Sequence, residues 1–176
     1  MALLAEELVE EWLNRQGYFT IRGIKFGVHE IDLLAIRPQG GQLECRHVEV
    51  QASVRPVSYL TKVPRSVQET EGRASGSAKR RTPEELAAGV QEWVEKKFFM
   101  PEKQRLRTNL APGPWSLELV VHKLKYPEEL PLIRQYGIIT HALSDVVQSL
   151  KALNGKIAAA AGAAFADLVL LEESLE

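Results

Sequence analysis

Residues 30–36 read EIDLLAI and residues 47–51 read HVEVQ, and the interpretation of the whole chain starts from these two stretches. Both are rich in residues that favour β-strands. The segment between them contains Gly40 and Gly41, which predict a tight turn. The two stretches therefore predict adjacent antiparallel strands joined as a hairpin.

Alternation along these strands brings acidic side chains together. Successive side chains of a strand point to opposite faces, so Asp32 shares a face with Glu30, while His47 and Gln51 share a face with Glu49. Asp32 and Glu49 can then lie side by side at one end of the sheet. Two close carboxylates repel each other unless a cation compensates them. Oxygen ligands suit Mg²⁺ or Mn²⁺, and Mg²⁺ is commonly held by one or two carboxylates plus a substrate phosphate.

A simpler interpretation makes Asp32 and Glu49 ordinary acids on a solvated strand face. The flanking residues favour the metal site, because LLAI and VEV are nearly continuous apolar runs. Such runs are typical of central strands that are covered on both faces. An acid in such a strand needs a partner or a function.

The rest of the chain predicts one α/β domain with a mixed sheet flanked by helices. The expected order is α-β-β-β-α-β followed by β-α-α. The predicted helices span 5–16, 83–99, 141–153 and 157–171, and the predicted strands span 18–25, 30–37, 43–52, 117–122 and 136–140. Residues 65–83 predict a flexible loop that is basic at its end, and three prolines predict an irregular connection at 101–114. The alanine-rich segment 157–171 either packs on the sheet or pairs with another chain in a homodimer.

Composition limits the classes of function. The chain has 176 residues, a net charge of −1 and one cysteine, Cys45, so a disulfide framework within the chain is excluded. A nearly neutral chain is not a protein that coats DNA, so a nucleic-acid site must be a local patch. No signal peptide or apolar stretch long enough to span a bilayer is found, and we expect a cytoplasmic protein with no membrane partner.

The segment GVHEIDLLAI (27–36) followed by HVEVQ resembles the paired motif of the PD-(D/E)xK nucleases. It is similar to small bacterial proteins that carry GEIDLIA and FVEVK, and more distantly to archaeal Holliday-junction resolvases. The resemblance covers about residues 5–53. It implies a restriction-endonuclease-like core and metal-dependent hydrolysis of phosphodiester bonds in DNA. Asp32 and Glu49 would bind Mg²⁺ or Mn²⁺.

Two further residues follow from this resemblance. The relatives carry a glutamate on the first helix, eleven positions before the glycine of a Gly-Tyr pair; counting back from Gly17 gives Glu6. Helix geometry puts Glu6 about 20° from Leu13, at the edge of the apolar stripe, so it either supports the site or is a solvated glutamate. Gln51 stands where the family usually has lysine, and it brings a hydrogen-bonding amide but no charge. Some nucleases of this class keep activity with glutamine there, while others with altered motifs are inactive modules that bind nucleic acid or a partner protein.

Basic residues elsewhere complete the predicted site. Lys97 falls within the apolar stripe of the helix after Pro83. It either reaches the acids as a substitute for the missing lysine or extends toward solvent. Other cations would contact phosphates without reading sequence, or belong to a solvated loop; they are Arg55, Lys62, Lys79, Arg80 and Arg81.

Overall fold

The structure, a computed structural model, describes residues 2–53 and 56–152. Its strands are β1 (Phe19–Phe26), β2 (His29–Gln39), β3 (Gln42–Gln51), β4 (Trp115–Val121) and β5 (Ile138–Ala142). Its helices are α1 (Ala2–Arg15), α2 (Arg65–Glu71), α3 (Pro83–Val94), α4 (Pro101–Leu110), α5 (Glu129–Gln135) and α6 (Leu143–Ala152), with a π-helical turn (Glu95–Phe99) directly after α3.

The five strands form one mixed sheet in the order β1-β2-β3-β4-β5. The first three strands are antiparallel, whereas β3, β4 and β5 run parallel to one another. The predicted α/β class and mixed sheet are confirmed. The β2–β3 hairpin closes on Gly40 and Gly41, whose φ angles of 57° and 82° are both positive. A two-residue hairpin turn of this kind favours glycine because it needs φ > 0 at both positions.

Each face of the sheet carries its own hydrophobic core. Helices α1 and α6 cover one face, where Leu13 packs in the same cluster as Val48 and Val50. Helices α3 and α5 and the π-helical turn form the other core, which contains Phe98 and Leu119. Because side chains alternate along β3, the side chain between Val48 and Val50 points toward the second face.

Three helices were not predicted: α2, α4 and α5. The prediction of an irregular connection from residue 101 was wrong, since Pro101 begins α4, as proline does in many first helical turns. The buried side chains of α4 are Lys103 and Arg107 rather than an apolar stripe. Apolar periodicity therefore gives no signal for this helix.

The segment 65–83, predicted as a flexible loop, is partly helical, whereas its flexibility stays a prediction. It begins with α2, and the segment after it is tied to α3 by an ion pair between Arg73 and Glu85 at 2.6 Å. Arg81, near the end of the segment, is buried and forms an ion pair with Glu129 of α5. The partners in these ion pairs are 12 and 48 positions apart, so the composition of the segment alone did not reveal them.

Several predictions concern residues outside those that the structure describes. They include Arg55, the alanine-rich segment 157–171 and any homodimer formed through it. Within 2–53 and 56–152, the structure contains no helix with the length and apolar character needed to cross a bilayer.

Gly89 allows the segment before α2 to pass close to α3. A Cβ atom at this position would lie 2.9 Å from Thr61 Oγ1 and 3.1 Å from the Lys62 carbonyl oxygen. Thr61 cannot easily turn away, because its hydroxyl bonds to Arg81 at 2.7 Å and also to Glu129. Gly89 is therefore a packing requirement, although it lies inside a helix.

We predict that Gly89→Ala lowers the free energy of unfolding by about 1–3 kcal/mol, because overpacking outweighs the better helix propensity of alanine. Urea unfolding measures the effect. Ala87→Gly, at an exposed position of the same helix, reports the propensity difference alone. A Gly89→Ala protein that is more stable than the wild type would contradict the packing argument.

Candidate functional site

The site lies where β2 and β3 separate. The last backbone pair toward this end of the hairpin is Leu33 with Val48. Beyond it, Asp32 Oδ2 accepts a hydrogen bond of 2.8 Å from the backbone N–H of Val50. The Asp32 carboxylate thus takes the place of a backbone carbonyl of β2 as the acceptor for the Val50 N–H. This hydrogen bond fixes the carboxylate at the end of the β2–β3 pairing.

Lys97 joins the two acidic residues that the sequence placed side by side. Its Nζ lies 2.5 Å from Glu49 Oε2 and 3.8 Å from Asp32 Oδ1. The two carboxylate oxygens can be no farther apart than the sum of these distances. The predicted convergence of Asp32 and Glu49 is confirmed, and Lys97 reaches the acids rather than solvent.

Glu49 is a fully buried carboxylate with three side-chain donors. Lys97 contacts Oε2, while Lys103 Nζ and His47 Nε2 lie 3.1 Å and 3.0 Å from Oε1. The side chain of Lys97 is 21% exposed and that of Lys103 is 2% exposed, so little water screens these ion pairs. The fully buried charge of Glu49 is thereby compensated inside the protein, as such a charge must be.

Arg107 determines which ring nitrogen of His47 carries the proton. Its Nη1 lies 2.6 Å from His47 Nδ1, and a guanidinium only donates hydrogen bonds. Nδ1 must therefore accept, which leaves the imidazole neutral with its proton on Nε2, facing Glu49. Burial lowers the pKa of His47, in agreement with a neutral ring. Arg107 on α4 thus orients a donor toward Glu49.

Lys103 connects the acidic pair to the backbone around it. Its ammonium donates to Glu49, to the Glu30 carbonyl oxygen at 2.6 Å and to the Lys97 carbonyl oxygen at 2.9 Å. These three acceptors satisfy all of its donors. The side chain is 2% exposed, so it is a fixed internal cation that ties β2, β3 and the π-helical turn together.

The surroundings give the two acids different pKa values. Burial and the charge of Glu49 raise the pKa of Asp32 to about 7. Burial alone would also raise the pKa of Glu49, but the hydrogen bond from His47 and the charge of Lys97 outweigh it and hold that pKa at about 2. The charge of Glu49 raises the pKa of Lys97, although burial opposes it. At neutral pH, Glu49 and Lys97 are charged, while Asp32 is partly protonated.

The other predicted site residues lie around this pair. Gln51 is two positions beyond Glu49 on the same face of β3, and it lines a groove together with Lys97. Glu6 of α1 acts on the pair through its charge, which raises the pKa of Asp32. Burial and the charge of Glu30 raise the pKa of Glu6 itself. The structure brings Gln51 and Glu6 to the site, whereas their roles stay predictions.

The structure describes four of the predicted phosphate-binding cations, and these differ in exposure. Lys62 is exposed and lines the groove beside Gln51. Lys79 and Arg80 are exposed on the segment before α3. Arg81 does not fit the prediction, because its guanidinium is buried against Thr61 and Glu129 and cannot extend to a phosphate.

The sequence interpretation missed Lys103 and Arg107 as site residues. Both were hidden in a segment interpreted as an irregular connection. Their spacing of four places them on one face of a helix that starts at Pro101. That spacing after a helix-starting proline is the signal that would have found them.

No protein-family model, curated protein or solved structure matches this chain.

The donors of the site suit a hard divalent cation. Among residues 2–53 and 56–152, no group of three or more His, Cys, Asp or Glu side chains is arranged to hold a metal. Asp32 and Glu49 nevertheless provide the one or two carboxylates that Mg²⁺ uses when phosphate and water complete its coordination.

We predict that Asp32→Asn stabilises the metal-free protein increasingly as the pH rises. The pKa of Asp32 is about 7 in the folded chain against an ordinary 3.8, so folding takes up a proton between these values. Wild-type stability then falls with rising pH, by up to about 1.4 kcal/mol per pH unit, while the asparagine does not titrate.

Urea unfolding in EDTA at pH 5, 6, 7 and 8 measures this difference. Asp145→Asn, at an exposed aspartate of α6, controls for the substitution itself. The difference should level off above pH 7, so a stability difference between Asp32→Asn and wild type that does not grow between pH 5 and pH 7 would exclude a strongly raised pKa at Asp32.

Proposed function

We propose that this protein is a metal-dependent nuclease that hydrolyses phosphodiester bonds in DNA, built on a restriction-endonuclease-like core. One observation carries the proposal: the ammonium of Lys97 lies against both Asp32 and Glu49, and Gln51 lines the same groove as Lys97. The motif of those nucleases combines two acids with a lysine. Here the same three chemical groups meet, although the lysine comes from a helix and not from the strand.

Each group has a distinct role in this proposal. Asp32 and Glu49 would hold Mg²⁺ or Mn²⁺, which polarises a phosphodiester and lowers the pKa of an attacking water. The amide of Gln51 orients that water by a hydrogen bond. Lys97 provides positive charge for the phosphate as negative charge develops on it. Lys103 and His47 hold the Glu49 carboxylate in one orientation.

A second candidate is an inactive module that binds nucleic acid or a partner protein. The observation that favours it is the saturation of Glu49, whose two oxygens already contact Lys97, Lys103 and His47. Such internal cations can replace a metal rather than assist one. Cleavage assays separate the two candidates.

We predict that the purified protein cleaves labelled DNA with Mn²⁺ or Mg²⁺, and that Asp32→Ala abolishes cleavage while leaving the fold intact. The substitution removes a metal ligand. It also removes a repulsion between two close acids, which offsets the loss of the hydrogen bond from the Val50 N–H, so the fold is retained. The substrates are single-stranded, duplex, flapped and branched DNA, each with metal and with EDTA. Asp145→Ala, at an exposed aspartate, should cleave like wild type. Absence of cleavage in every substrate, with DNA binding that persists in EDTA, would establish the inactive module.

We also predict that Lys97→Met lowers the cleavage rate by about 100-fold or more, as loss of a transition-state donor does in other enzymes. Gln51→Lys should keep or raise activity, because it restores the usual charge. Gln51→Lys should also rescue Lys97→Met, since one ammonium replaces the other. Lys25→Met, at an exposed lysine of β1, is the control. Unchanged cleavage by Lys97→Met would remove Lys97 from the mechanism.

A further inference from the structure

A groove of about 1180 Å³ is lined by Lys97, which contacts both acids, and by residues of α2 and α3. This volume exceeds the 300–1,000 Å³ typical of pockets for small ligands, which suggests an extended ligand. Gln51 and Lys97 line it, and the Lys97 ammonium also contacts Asp32 and Glu49. A ligand in the groove therefore lies next to the site.

The walls of the groove combine positive charge with apolar surface. Lys62, Arg65 and Lys96 are exposed along it, in addition to Lys97. Its two carboxylates, Glu92 and Glu95, accept hydrogen bonds from neutral donors and keep their charge, so four cations face two acids along the groove. The charge of the groove therefore complements an anion, in a chain whose net charge is −1.

Phe99 supplies an exposed aromatic side chain in this groove. It is 37% exposed and lies two residues after Lys97, at the end of the π-helical turn. Its carbonyl oxygen accepts a hydrogen bond of 2.7 Å from Gln104 Nε2, which fixes the backbone of Phe99 against α4. Trp93 of α3 lines the same groove. A partly exposed aromatic ring beside cations suits a ligand with both a flat apolar part and negative charge.

We propose that this groove binds a single strand of DNA, with an unpaired base stacked on Phe99 and the phosphates along Lys62 and Lys96. Single strands are bound in this way because every base has a face that stacks on an aromatic ring while the backbone meets cations. A duplex keeps its bases stacked on one another and offers phosphates to the cations, so the exposed ring would have no partner. This inference rests on the proposed nucleic-acid site at Asp32 and Glu49.

The test measures binding in EDTA, without cleavage, by fluorescence anisotropy. The probes are labelled oligothymidine, an abasic strand of the same length and a hairpin duplex. Wild type should prefer oligothymidine to both other probes. Phe99→Ala should weaken oligothymidine binding by about 5- to 150-fold, the range measured for loss of one aromatic–base stack, and leave the abasic strand unaffected. Lys62→Met should weaken both single strands alike, because it contacts phosphate and not a base.

Two controls make the result specific. Phe19→Ala removes an aromatic ring that is 75% exposed on the edge strand β1, outside the groove, and should leave all affinities unchanged. Phe99→Trp keeps an aromatic face and should retain oligothymidine binding. Thermal melts establish that each variant is folded.

The outcomes distinguish this inference from the proposed nuclease activity. Tight oligothymidine binding that depends on Phe99, without cleavage under any metal, supports the groove and refutes the nuclease. Metal-dependent cleavage with equal affinity for duplex, unaffected by Phe99→Ala, supports the nuclease and overturns the groove. Failure to bind any of the three probes overturns the groove as a DNA site and favours a protein partner there.

Discussion

The buried charge of Glu49 is the constraint on which the site depends. Moving an unpaired carboxylate into a protein interior costs several kcal/mol, and only well-placed partners offset this cost. Glu49 has Lys97, Lys103 and His47 around it, and these come from three different elements. The strand β3, the π-helical turn and α4 must therefore assemble together. One carboxylate organises the packing on this face of the sheet.

The same arrangement gives two chemically identical carboxyl groups different pKa values. Glu49 has three side-chain donors and stays ionised, whereas Asp32 has one backbone donor and the Lys97 ammonium at 3.8 Å. Asp32 can therefore gain or lose a proton near neutral pH, and the proximity of Glu49 contributes to this. A permanently charged acid beside an adjustable one suits a site that must accept and release a cation.

The sequence predicted the mixed sheet, the glycine hairpin and the meeting of Asp32 with Glu49, because strand alternation and turn chemistry are local properties. It did not predict α4, because that helix buries Lys103 and Arg107, and hydrophobic periodicity cannot detect buried cations. Arg81 was misassigned for a related reason: its partner, Glu129, lies 48 positions away. The sequence did not decide whether Lys97 contacts the acids, because its position depends on a π-helical turn, which has no simple sequence signature.

The order of the sheet has a consequence for how the molecule folds. Strands β3 and β4 are neighbours in the sheet, but α2, α3, the π-helical turn and α4 all lie between them in the chain. The β2–β3 hairpin closes through local contacts, whereas parallel pairing with β4 must first close a long loop, which is slow. The two acids should thus meet early in folding, before Lys97 and Lys103 arrive. During that interval their mutual repulsion opposes the hairpin, so the rate at which the early hairpin accumulates should depend on ionic strength.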